Sequence, residues 1–88
     1  MRVAFKASFA KDLRKLKEQQ LKIQVGEVIE LVERSKSIHE VGHVKKITGT
    51  DHYYRIKLGD YRIGVVFENN TIFFVRILHR KDIYRHFP

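Results

Sequence analysis

The chain has 88 residues, is 43% hydrophobic and contains no cysteine, which excludes a disordered chain, a disulfide framework and thiolate metal sites. It is long enough to bury an ordinary core as a single domain over residues 1–88, and the lack of cysteine points to a reducing, cytoplasmic compartment. Eighteen Lys and Arg against ten Asp and Glu give a net charge of +8, so a polyanionic partner is expected: nucleic acid, an anionic membrane or an acidic protein.

The first segment, Arg2 to Lys6, alternates with Val3 and Phe5 on one face, which predicts a short strand. Its flanks, "MRVAFKASFAKDL", carry no signal-like apolar segment, and no apolar run later in the chain approaches the roughly 20 residues that span a bilayer. Ser8 is a good N-cap for a helix whose face is Phe9, Leu13 and Leu16. The charges of "KDLRKLK", Lys11 to Lys17, read as a solvated helix face. A second helix is expected from about Leu21 to Arg34, with Leu21, Val25, Val28, Ile29 and Val32 on one side. Ile23 and Leu31 lie off that stripe. The two helices form an αα-hairpin.

"SKSIHEVGH", Ser35 to His43, is polar and aperiodic and reads as a loop. His39 and His43 stand four apart there without further obvious ligands, so no metal site is expected. Val44 to Gly49 predicts a short edge strand. "YRIKLGDYRIGVVF", Tyr54 to Phe67, predicts two strands joined by the turn Gly59–Asp60. A second turn at Asn69–Asn70 leads to "TIFFVRILHR", an apolar strand expected inside the sheet. The tail "KDIYRHFP" is too short to assign by pattern. The expected fold is α+β: an N-terminal strand, an αα-hairpin, then an antiparallel sheet of about four strands with the helices packed on one face.

The hairpin carries the strongest functional signal. A two-residue loop with glycine first suits a type II′ turn. That register pairs Leu58 with Tyr61, Lys57 with Arg62 and Arg55 with Gly64. Lys57 and Arg62 are then opposed on one face, an arrangement that destabilises a sheet unless an anion lies between them. Gly64, lacking a side chain, is expected to leave the surface beside Arg55 open. Arg80, at the end of the last strand, and Tyr84, four residues on, offer a further cation and a platform for stacking a base.

"YRIKLGDYRIGVVF", an apolar strand and then "HRKDIY" resemble the RelE side of the RelE/ParE toxin superfamily, with the likeness extending over nearly the whole chain. The resemblance implies the toxin of a bacterial type II toxin–antitoxin system. It implies an endoribonuclease that enters the ribosomal A site and cuts mRNA without a metal or other cofactor. The 2′-OH attacks the adjacent phosphate, leaving a 2′,3′-cyclic phosphate. By the resemblance, Arg55 and Lys57 are the basic pair of the third strand and Arg62 stabilises the charge on phosphorus. Arg80 matches the proposed general acid and Tyr84 the residue that stacks on the nucleotide. Well-known members carry lysine where this chain has Arg55, and arginine deprotonates less readily, which weighs against a base role there. Lys45, Lys46, Lys81 and Arg85 are expected to bind RNA phosphates without reading sequence. His79 and His86 lie near this set and could move protons near neutral pH. The expected partners are the ribosome, its mRNA and an acidic antitoxin that wraps the toxin. Two rival readings are a ParE-like DNA gyrase inhibitor and a non-catalytic RNA-binding module.

Overall fold

The computed structural model describes residues 1–88. The elements in chain order are β1 (Arg2–Phe5), α1 (Ala7–Lys15), α2 (Gln19–Arg34), β2 (Val44–Lys46), β3 (Tyr53–Leu58), β4 (Tyr61–Glu68), β5 (Thr71–His79) and α3 (Arg80–His86). They build a five-stranded sheet of order β1-β5-β4-β3-β2. The four later strands are antiparallel to their neighbours, as expected, and β1 joins as a fifth strand, parallel to β5. No helix is long and apolar enough to cross a membrane.

Strand alternation builds the main core. Tyr54, Ile56, Ile63 and Val65 turn to one face of β3 and β4 and are buried there. The α1–α2 hairpin covers that face with Phe9, Leu21, Val25 and Val32. Phe9 meets Phe74 with ring centroids 5.4 Å apart. Burying a side chain of this size contributes roughly 2–3 kcal/mol. The loop after α2 folds into a short 3₁₀ turn at Ile38–Glu40, and Ile38 and Val41 plug the core beneath it.

Both turns follow their residue chemistry. Gly59 has φ of +58° while Asp60 stays outside the positive-φ region, as a type II′ turn requires. Asn69 and Asn70 have φ of 50° and 62°, the pair of left-handed residues that a type I′ turn needs. The pairings Leu58–Tyr61, Lys57–Arg62 and Arg55–Gly64 are those expected from the turn.

β5 contains a bulge. Gly64 pairs with Arg76 and Val65 with Phe74, so Val75 has no counterpart on β4. In an unbroken strand, Phe74 and Ile77 would face opposite sides. The extra residue lets both enter the same core, where their exposures are 0% and 1%.

Two expectations about α1 are corrected. Ser8 is not the N-cap, a position held by Lys6; Ser8 lies inside the helix and its Oγ donates to the Val75 carbonyl at 2.6 Å. That carbonyl belongs to the bulged residue, and it captures the hydroxyl that local sequence would assign to capping. Nor is the Lys11–Lys17 stretch a purely solvated face, because Asp12 is only 4% exposed. Its carboxylate accepts from Arg76 Nε at 2.7 Å, Arg76 Nη2 at 3.0 Å and the Ile77 amide at 3.0 Å. The hydrogen bond to Asp12 holds the Arg76 pKa above its ordinary value, with desolvation opposing and the carboxylate charge reinforcing the shift. Asp12 and Ser8 together tie α1 to the bulge of β5.

The tail that sequence pattern left unassigned is α3, and it packs against the sheet face opposite the α1–α2 hairpin. The His79 Nδ1 caps it by accepting from the Lys81 amide at 3.1 Å. Ile83, Phe87 and Val66 form a small second core there, with exposures of 0%, 4% and 5%.

Candidate functional site

The face of the sheet covered by α3 is where the cations gather. β2 brings Lys45 opposite Arg55, and the hairpin brings Lys57 opposite Arg62. α3 swings back over β3 and lays the Tyr84 ring against the Arg55 guanidinium, 4.5 Å from carbon to ring centroid. Together these residues enclose a cavity of about 350 Å³, lined by His43, Val44, Lys45, Arg55, Lys57, Arg62 and Tyr84. No carboxylate lies in its wall.

The ion pairs of the molecule sharpen that asymmetry. They join Lys46 to Asp51, Arg76 to Asp12, Arg80 to Asp60 and Arg85 to Asp82. Lys45, Arg55, Lys57 and Arg62 have no such partner, so the four cations of this concavity are left uncompensated. Arg62 Nη1 donates to the carbonyls of Gly59 at 2.8 Å and Tyr61 at 2.9 Å. Those bonds fix the guanidinium against the turn and leave its Nε and Nη2 hydrogens without a protein acceptor. A fixed fork with unspent donors is suited to a phosphate oxygen.

Gly64 behaves differently from the sequence expectation. The space beside it is filled rather than open: a Cβ there would lie 2.6–2.7 Å from three ring carbons of Phe87. The missing side chain admits the buried Phe87 ring, which also packs on Tyr53 at 5.7 Å between centroids. Gly64 thus seats the end of α3. The cavity forms instead where β2, the cationic part of the hairpin and Tyr84 meet.

The structure brings together Lys45, Arg55, Lys57, Arg62 and Tyr84 from the expected set. Tyr84 is 65% exposed, so the ring presents surface beyond its contact with Arg55. Lys46, Arg80, Lys81 and Arg85 lie outside the cavity wall. Strand alternation turns Lys46 away from Lys45, and its ammonium is 3.9 Å from Asp51. Arg80 stands just past the hairpin turn; its amide donates to the Asp60 carbonyl at 2.7 Å and its Nε is 4.0 Å from the Asp60 carboxylate. It shares the turn with Arg62 without entering the concavity.

The histidines separate. His39 meets Tyr54 edge-on at 6.0 Å. His79 packs edge-on against Tyr61 at 5.5 Å. His79 and His86 line a different groove of about 410 Å³ together with Asp12, Arg76 and Asp82. No three His, Asp or Glu side chains gather where they could hold a metal ion. His43 is the residue of the cavity that sequence reasoning passed over. The signal was its position directly before the "VKK" strand, which sets it at the strand end beside Lys57; its carbonyl accepts from the Lys57 amide at 2.9 Å.

Chemically, such a wall is suited to an anionic group such as a phosphodiester, with the Tyr84 ring placed to stack a neighbouring ring. Comparison with known proteins bears on the family of the chain. A family model described as the ParE toxin of the type II toxin–antitoxin system, parDE, matches residues 3–84. Toxin RelE3 of Methanocaldococcus jannaschii is 40% identical over 89 aligned positions, covering 100% of both chains. A chain in the crystal structure of the RelB–RelE antitoxin–toxin complex from Methanococcus jannaschii superposes with a TM-score of 0.82 at 39% identity, over 97% of this chain and 99% of that one. A chain of the archaeal RelE–RelB complex from Pyrococcus horikoshii OT3 gives a TM-score of 0.72 at 25% identity, over 90% and 93%.

Proposed function

Because the chain belongs to the RelE/ParE family of type II toxin–antitoxin toxins, we propose that it is a ribosome-dependent mRNA endonuclease. The observation that carries this reading is the carboxylate-free cavity in which Lys45, Arg55, Lys57 and Arg62 meet the exposed Tyr84 ring. Unpaired cations beside an exposed aromatic ring match a phosphodiester and the base next to it. In the proposed reaction Lys45 and Arg55 hold backbone phosphates, and Tyr84 stacks on a nucleotide beside the scissile bond. Lys57 and the fixed Arg62 fork neutralise charge as the 2′-OH adds to phosphorus. Arg80, held at the turn by Asp60 and outside the cavity wall, acts on the leaving 5′-oxygen or on a flanking phosphate. Lys46, Lys81 and Arg85 hold RNA more weakly from outside the wall. The metal-free chemistry rests on charge stabilisation and positioning, each of which can supply several kcal/mol.

The proposed partners are the ribosome with mRNA in its A site and a cognate antitoxin. The structural relatives from Methanococcus jannaschii and Pyrococcus horikoshii were solved as complexes with RelB, which supports an antitoxin for this chain too. An acidic antitoxin segment suits the +8 surface. The alternative is a ParE-like inhibitor of DNA gyrase, kept because the matching family model is described as a ParE toxin.

Purified toxin added to an in vitro translation reaction tests the proposal, with mRNA 5′ ends mapped by primer extension. The expected result is cleavage of translated mRNA, little cleavage of the naked RNA, and products ending in a 2′,3′-cyclic phosphate. Intact mRNA together with stalled gyrase on DNA refutes the endonuclease reading in favour of the alternative.

A further inference from the structure

We infer that His43 is the general base of the cleavage reaction, an assignment that rests on the endonuclease reading and adds a residue to it. The groups that face the cavity with His43 are Lys45 from β2, Arg55 and Lys57 from β3, Arg62 from β4 and Tyr84 from α3. Four are cations and one is a phenol; none is a carboxylate. A lysine or arginine must give up a stabilised charge before it can accept a proton, and a phenol is a poor base near neutrality. Imidazole is the side chain whose ordinary pKa places a free ring nitrogen at hand near pH 7.

The backbone holds His43 in place. Its φ is +63°, a left-handed conformation in which histidine is enriched among non-glycine residues but which is uncommon overall. The hydrogen bond from the Lys57 amide to the His43 carbonyl, at 2.9 Å, extends the pairing of β2 with β3 by one position. The His43 backbone is therefore anchored opposite Lys57, and the residue lines the cavity in which the scissile phosphate is proposed to sit. The left-handed turn ends the preceding loop and delivers the imidazole to the cavity wall.

The step balances as follows. The His43 imidazole takes the proton of the 2′-OH, and the 2′-oxygen forms a bond to phosphorus. The bond from phosphorus to the 5′-oxygen of the next nucleotide breaks, and its electron pair leaves with that oxygen, which takes a proton from water. The imidazolium returns its proton to solvent. The products are a 2′,3′-cyclic phosphate and a 5′-hydroxyl.

His43→Asn and His43→Gly separate this role from a structural one, because both replacements accept a positive φ and preserve the loop. Single-turnover cleavage of ribosome-bound mRNA is measured for the wild type and both variants between about pH 5.5 and 8.5, the range in which imidazole titrates. Binding to ribosomes carrying mRNA with a 2′-deoxy substitution at the cut site is measured in parallel. The wild-type rate is expected to rise with pH and level off above the imidazole range. Both variants are expected to be slower by about 10²-fold or more, as for loss of a general base, and to lose the plateau while binding the 2′-deoxy substrate normally. A folded variant that cleaves at the wild-type rate overturns the assignment. So does a slowed variant that keeps the wild-type pH inflection. A wild-type protein that never cleaves ribosome-bound mRNA refutes the endonuclease reading itself, a result distinct from active wild type with an indifferent His43.

Discussion

Replacing Gly64 with alanine tests how α3 is held over the sheet. The added Cβ would stand 2.6 Å from Phe87 Cδ2 and 2.7 Å from Cγ and Cε2. To regain ordinary van der Waals separation the ring must retreat by roughly 1 Å. It cannot do so freely, because Phe87 is 4% exposed and lies in the small core with Val66 and Ile83. Overpacking of this kind costs about 1–3 kcal/mol. The ceiling is complete expulsion of the ring, near the ~3–5 kcal/mol of a buried Phe→Ala change. A cost of about 2 kcal/mol lowers Tm by roughly 8–16 °C in a domain of this size. The strain resides in the ring, so Gly64→Ala combined with Phe87→Ala should be no less stable than Phe87→Ala alone. That leaves a coupling of about 2 kcal/mol in a double-mutant cycle followed by thermal or urea unfolding. Since α3 also carries Tyr84, Gly64→Ala should weaken mRNA cleavage at temperatures where it remains folded. A stabilised Gly64→Ala, by the ~0.4–1 kcal/mol that an unhindered Gly→Ala change contributes, refutes the packing argument, as does strict additivity in the cycle.

Arg62→Ala should slow cleavage by about 10²–10³-fold with its circular dichroism unchanged, while Tyr84→Phe should keep part of the activity because the stacking ring remains. Arg80→Ala, outside the cavity wall, should lose less than Arg62→Ala, and a reversal of that order in single-turnover cleavage assigns the charge-stabilising role to Arg80. Lys57→Ala should raise Tm slightly in low salt by relieving an opposed like-charge pair, at most ~1 kcal/mol and shrinking as salt is added, while abolishing most cleavage. Phosphate at matched ionic strength should stabilise the wild type more than Lys57→Ala; an equal effect on both removes the anion site. Asp12→Ala should destabilise by about 3 kcal/mol, because it strands Arg76 and the Ile77 amide, with urea unfolding as the measurement. The raised Arg76 pKa means its contribution is complete below the ordinary arginine range and lost only above it, so the Tm gap between wild type and Asp12→Asn should stay constant from about pH 7 to 10.

Local chemistry made much of this protein legible from its residues. The period-2 alternation of Tyr54 to Phe67 and the Gly59–Asp60 turn set the hairpin register, and the register alone placed Arg55, Lys57 and Arg62 on one face. The helical stripe of Leu21, Val25 and Val32 identified the covering helix for the same reason: its period is written in neighbouring residues. The features that pattern could not reach all depend on partners distant in the chain. Asp12 reads as solvated until Arg76, 64 residues later, donates to its buried carboxylate. Ser8 reads as a cap until the bulge at Val75 takes its hydroxyl. Gly64 reads as open surface until Phe87 folds into its place. The same docking turns an unassigned tail into α3, because a helix this short is stabilised by burying Ile83 rather than by its own propensity. The cations were decided by local sequence; the cavity, with His43 and Tyr84 in its wall, was decided by tertiary packing, since its concavity requires β2, β3, β4 and α3 to meet.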